Sequence, residues 1–169
     1  MSSTQDWKYN KILPMFGENG CSISGCSFHH PSGCASANVL CCALNLSDAI
    51  IRAGYVLPAA PDVNYCDHSG TSGKRVRNAD GMARVTKAQN GGNIDASTWA
   101  NRPSWKGIVY FEGGLALESL YGSAARTELA PSVFASIFTA TGHIDLWDGT
   151  KGVHAQYPDA ATIWFWRLG

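Results

Sequence analysis

The sequence predicts an α+β protein, with N-terminal helices packed on a C-terminal antiparallel sheet. Three observations predict it. Small and apolar residues recur at helical spacing before residue 90, as in Leu40, Ala43, Leu44, Ser47, Ile50 and Ile51. Runs rich in β-branched and aromatic residues follow residue 107. Between two of those runs lies Asp148-Gly149, a strong hairpin signal. Helices first and strands afterwards is the pattern of an α+β fold.

Taken in order, the polar start MSSTQDWKYNKILP carries no apolar segment of signal-peptide type. Any export is therefore expected to bypass the general secretory route. Residues 17–36 are rich in Gly, Ser and Cys and are expected to be loop. A helix is expected over 39–53, stopped by Gly54. Pro58, Pro61 and Gly70-Thr71-Ser72-Gly73 mark a second long loop. A second helix is expected over 75–89, ending before Gly91-Gly92, with Gly81 as its weak point. GIVYFE at 107–112, HIDLW at 143–147, GVHAQY at 152–157 and TIWFWRL at 162–168 are the expected strands. The 113–141 segment between them has room for a short helix at 131–138, opened by Pro131, and is a candidate wall of a substrate groove.

The length of 169 residues suits one domain, 1–169. Lys+Arg is 13 and Asp+Glu is 13, so the formal net charge is zero. That balance argues against a non-specific nucleic-acid binder and against a polybasic membrane anchor, since both need surplus basic charge. No apolar stretch approaches the ~20 residues of a membrane-spanning helix.

Six cysteines, Cys21, Cys26, Cys34, Cys41, Cys42 and Cys66, crowd the first 66 residues. That usage suits an oxidising working environment. A local disulfide among Cys21, Cys26, Cys34 and Cys66 is expected, with its connectivity open. A zinc site from Cys21, Cys26, His29 or His30, and Cys34 is the weaker expectation, because the paired C-x-x-C spacing of zinc modules is missing.

The chemistry points elsewhere. Cys42 falls at the start of the first long helix, where free amides and the helix dipole favour a thiolate. The same amides can bind an oxyanion. His143 opens a later strand, and His154 lies 11 residues on, across the expected turn. Nucleophile, base and orienting group then follow in the order Cys42, His143, His154. Asp145, sharing the sheet face of His143, and Asp148 in the turn are alternatives for the third place. Cys34 and Cys41 are alternatives for the nucleophile. Asn38 reads as a helix N-cap or, alternatively, an oxyanion-binding amide. Trp147, Trp164 and Trp166 are expected in the core, and His29, His30 and His68 on surface loops.

Several segments resemble the type VI secretion amidase effectors, family four, within the NlpC/P60 branch of papain-like cysteine peptidases. They are C42-A-L-N-L-S47 with Gly54-Tyr55, R75-V-R with Met82, K106-G-I-V-Y-F-E112, G142-H-I-D-L-W-D-G149 and I163-W-F-W-R-L168. The resemblance spans most of the chain, and its G-H-x-x-L-W-x-G segment is the specific part. It implies a papain-like fold and a cysteine amidase acting on peptidoglycan stem peptides between D-glutamate and meso-diaminopimelate. Cys42 would be the nucleophile and His143 the base, with no metal or cofactor. It further implies delivery by the type VI machinery into the periplasm of rival bacteria, and a cognate immunity protein. Two departures stand out. The family usually has Asp where this chain has His154, and its cysteine pair near the turn is absent here. The competing readings are a papain-like thiol hydrolase acting on proteins, a non-catalytic wall-binding module and a zinc-binding interaction domain.

Overall fold

The computed structural model describes residues 6–17, 21–22, 25–26, 42–63, 65–66, 75–112 and 142–168. The first described element is a helix, α1 (Trp7–Gly17), whose Tyr9, Ile12 and Phe16 are buried. Positions 9, 12 and 16 lie on one helical face, so the otherwise polar start does carry a core stripe. The polar residues around this stripe hide the helix from sequence patterning. Two short antiparallel ladders follow. In one, β1 (Cys21–Ser22) pairs with β2 (Gly25–Cys26). In the other, β3 (Tyr65–Cys66) pairs with β4 (Arg75–Val76).

Between those ladders runs α2 (Cys42–Arg52), the expected helix. Cys42 through Ile50 are all buried, so this is the central helix and not a surface one. Gly54, at φ +87°, ends it: its amide bonds Ile51 O, and the Tyr55 amide bonds Ile50 O. This is the left-handed C-terminal cap that glycine adopts without a Cβ penalty. The next helix, α3 (Ala79–Gln89), starts four residues later than expected. Asn78 caps it by accepting the Gly81 amide at 2.6 Å, and residues 75–76 are taken by β4.

The sheet has the order β6-β5-β7, all antiparallel, from β5 (Gly107–Glu112), β6 (Gly142–Trp147) and β7 (Thr162–Arg167). Strand alternation splits its side chains into two cores. Ile108, Tyr110, Ile144, Leu146 and Trp166 pack with α1, α2 and α3. Val109, Phe111, Trp147, Ile163 and Phe165 form the other core with Trp99, Trp105 and Tyr157 packed on it. Trp147 and Trp166 are in the core as expected, and Trp164 is partly buried against it.

The expected strand at 152–157 does not form. Only a single bridge, Trp147 with Gly152, continues the pairing. Asp148 Oδ1 gathers the amides of Thr150 and Lys151 at 2.7 and 2.8 Å, and Gly149 turns the chain at φ +100°. Beyond Val153, the amides of His154 and Ala155 bond a side-chain carboxylate and not a neighbouring strand. The expected helix at 131–138, the 113–141 segment, Cys34, Asn38, Cys41, His29, His30 and His68 lie outside the described residues.

Candidate active site

Cys42 is the first residue of α2 and packs beside β6. The residue is 6% exposed and is a free cysteine. It hydrogen-bonds with His143 of β6, and the backbone amides of Ala43 and Ile144 point at the same sulfur. Among the described residues β6 pairs with a strand on one side only, which leaves the Ile144 amide available. The sulfur therefore closes that edge while collecting donors that favour its anion.

His143 is oriented from its other side by Asp145, two residues along and so on the same face of the sheet. His143 Nε2 lies 3.4 Å from Asp145 Oδ2. With Nε2 engaged there, Nδ1 is the nitrogen left for the thiol. Asp145 is fully buried and heavily used. Oδ2 also accepts the His154 and Ala155 amides at 2.8 and 2.9 Å. Oδ1 accepts the Leu146 amide at 2.7 Å and lies 3.5 Å from His154 Nδ1. His154 thus meets the carboxylate, with Phe16 of α1 edge-on to its ring at 4.4 Å between centroids.

Glycines at two positions make this closeness possible. A Cβ on Gly142 would sit 2.4 Å from Phe111 O and 2.8 Å from a Tyr110 ring carbon. A Cβ on Gly152 would sit 2.1 Å from Ala155 O and 3.1 Å from Asp145 Oδ2. The first lets the strand carrying His143 lie flat on β5. The second lets the 152–155 turn close over the carboxylate.

The electrostatics follow from these contacts. Burial alone would raise the Cys42 thiol, but His143 and the two backbone amides outweigh it and lower the thiol below its ordinary value. Burial would likewise disfavour a charged imidazole. The hydrogen bonds to Asp145 and Cys42 prevail, and His143 is raised. For Asp145, burial is opposed by His143, His154 and the Ala155 amide, which bring its carboxyl down to about 2. A thiol drawn toward its anion and an imidazole drawn toward its cation, backed by a carboxylate, are an arrangement able to supply a nucleophile, a proton carrier and an orienting group.

The sequence-predicted Cys42 and His143 come together in this way. His154 reaches the site through Asp145, the alternative third residue. Asp148 caps its own turn. Among the described residues no group of three or more His, Cys, Asp or Glu is placed to hold a metal ion. No helix among them is long and apolar enough to cross a membrane.

The family described as type VI secretion system (T6SS), amidase effector protein 4 (Tae4) matches residues 40–166. This chain belongs to that family. The matched span takes in α2, α3, the sheet and the whole Cys42–His143–Asp145 cluster. Solved structures agree on the fold. The type VI effector Tae4 from Enterobacter cloacae is 16% identical, with 95% of this chain and 96% of that one covered, at a TM-score of 0.60. The effector–immunity complex Tae4–Tai4 from the same organism is 17% identical over the full length of both chains, at 0.58. Tae4 from Salmonella typhimurium, in complex with the immunity Tai4 from Enterobacter cloacae, is 17% identical at 0.56, with 95% and 98% covered. No curated protein sequence matches the chain. The fold is thus the papain-like, NlpC/P60 type expected from the sequence, and the activity class of the family is that of an amidase.

Proposed function

We propose that this amidase effector is a cysteine peptidoglycan amidase, cutting the γ-D-glutamyl–meso-diaminopimelate bond of stem peptides in the periplasm of rival bacteria. One observation carries the cysteine mechanism: a buried thiol at a helix start, bonded to an imidazole that a buried carboxylate orients in turn. The Cys42 thiolate attacks the amide carbonyl carbon, and the carbonyl electrons move to oxygen. The backbone N–H of Cys42, at the start of α2 where amides lack intrahelical partners, receives that oxyanion. The His143 imidazolium gives its proton to the amide nitrogen as the C–N bond breaks. The diaminopimelate amine leaves, and the D-glutamyl group remains as a thioester on Cys42. Neutral His143 then takes a proton from water, the hydroxide adds to the thioester carbon, and the C–S bond breaks to restore the thiolate and imidazolium. Asp145 holds the imidazole in one orientation throughout, and His154 holds Asp145.

The machinery that carries the protein out is the type VI secretion system, as the family description indicates. Its partner in the producing cell is a cognate immunity protein, in keeping with the complexes that relatives form with Tai4. That partner is expected to cover the surface over Cys42.

The test is digestion of diaminopimelate-type peptidoglycan by the protein and by Cys42→Ala, with fragments identified by mass spectrometry. A product ending in D-glutamate and a matching fragment with a free diaminopimelate amine, both lost in the variant, are expected. Turnover of casein with no wall product would move the assignment to a protein-directed thiol hydrolase.

A further inference from the structure

His143 is held by more than its two polar partners. Its ring lies 5.4 Å from Tyr157, edge-on at 79°, and 6.4 Å from Phe111, nearly parallel at 18°. Phe111 and Tyr157 touch each other at 5.5 Å, so the three rings form a closed triangle. The two walls differ in kind. Phe111 is fully buried in β5 and backed by Trp99 at 6.4 Å, so it cannot move without the sheet. Tyr157 is partly exposed and sits on the irregular segment after Gly152. That segment is tied down by the His154 and Ala155 amides on Asp145 Oδ2, the oxygen that also meets His143 Nε2.

Resting on the cysteine-amidase reading, we infer that Tyr157 is a positioning residue for His143: a strap anchored on Asp145 lays its ring against the imidazole, fixing the ring plane and keeping water off the His143–Asp145 contact. One carboxylate oxygen therefore serves two purposes. It sets the imidazole from one direction, and it sets the backbone that carries the aromatic wall. An imidazolium beside an aromatic ring is also stabilised by cation–π attraction when the geometry brings its edge to the ring face. The charged and titratable groups facing His143 among the described residues include Cys42 from α2, Asp145 from β6, the Tyr157 phenol from the strap and, through Asp145, His154. Those partners hold the imidazole above its ordinary value of 6.5 against burial, so water entering the triangle weakens them and returns it toward that value.

Tyr157→Phe, Tyr157→Leu and Gly152→Ala separate this role from mere packing. The first keeps the ring, the second removes it, and the third lifts the strap without touching any of the three rings. The His143 imidazole is titrated by NMR in each variant, a reading that needs no substrate. Tyr157→Leu and Gly152→Ala are expected to lower its titration midpoint by about one unit, which is tenfold in proton affinity. On peptidoglycan both are expected to lose about tenfold in kcat with KM little changed, while Tyr157→Phe stays near the parent. An unmoved midpoint in Tyr157→Leu would overturn the inference. So would a loss confined to KM, or Tyr157→Phe failing as Tyr157→Leu does. If the midpoint moves as expected but no wall product forms even with the parent protein, the proposed substrate fails and the strap stands.

Discussion

Helix α2 carries two buried polar clusters, one at its first residue and one at its middle. In the middle, Asp48 Oδ1 accepts Arg75 Nε at 2.8 Å and Nη2 at 2.7 Å, and Arg52 of the same helix lies 3.8 Å from Oδ2. Next to it, Ser47 Oγ donates to Leu44 O and accepts the Val76 amide. At the first residue, Cys42 meets His143, and His143 meets Asp145. Both clusters join α2 to a strand, yet they do different work. The middle cluster pairs an acid with a guanidinium that stays charged at any working pH, and it fastens β4 to the helix. The first cluster pairs two groups whose proton can sit on either, beside the amides of the helix start. Burial with fixed charge suits a fastener, whereas burial with a shared proton suits chemistry.

Substitutions at the two ends should therefore fail in different ways. The largest expected effect is Cys42→Ala, which should abolish turnover by about a thousandfold or more, as loss of a covalent nucleophile does, with the melting temperature close to the parent. Asp145→Asn comes next. By the loss seen when a triad carboxylate becomes an amide, kcat should fall by about 10²–10⁴ on peptidoglycan assays. It also exchanges an oxygen acceptor that serves the 154–155 amides, so protease nicking of the 152–160 segment should speed up.

Asp48→Ala should invert that profile. Removing one partner of a buried ion pair costs about 3–5 kcal/mol because the other charge is left unpaired, and denaturant unfolding should report it. The thiol of the fraction still folded should react with iodoacetamide at the parent rate. If Asp48→Ala changed thiol reactivity as much as stability, the two ends of α2 would not be separable.

The smallest expected effect concerns acid stability. The Asp145 carboxyl is depressed in the fold from 3.8 to about 2, so its contribution is complete above 3.8 and disappears as pH falls through 2. At ~1.4 kcal/mol per unit this amounts to about 2 kcal/mol. Unfolding between pH 4 and 2 should steepen in the parent and flatten in Asp145→Asn.

Much of this was legible in the sequence, unevenly so. Helix α2 was legible because its apolar spacing and Gly54 agree, and Cys42 at its start follows from that boundary. Strands β5, β6 and β7 were legible from β-branched and aromatic runs. Helix α1 was missed because a three-residue stripe, Tyr9, Ile12 and Phe16, is diluted by Lys, Asn and Pro14. The strand expected at 152–157 was misread because Asp148-Gly149 does make a turn, but the returning chain gives its amides to Asp145. That competition is between a buried carboxylate and a ladder partner, and spacing alone does not reveal it. Its trace was nonetheless present: Asp145 lies two residues from His143, which puts both on one sheet face, and Gly152 precedes His154 by two.

The most direct test of the central claim is the pH dependence of Cys42 alkylation, with the labelled residue identified by peptide mapping. If Cys42 is held as a thiolate by His143 and the amides of Ala43 and Ile144, iodoacetamide should modify Cys42 first. Its rate should rise at a lower pH than that of an ordinary thiol. In His143→Ala the rate should rise only toward the ordinary thiol value of 9. A parent protein whose Cys42 gains reactivity only near pH 9, or whose Cys34 or Cys41 is labelled in preference, would contradict the account.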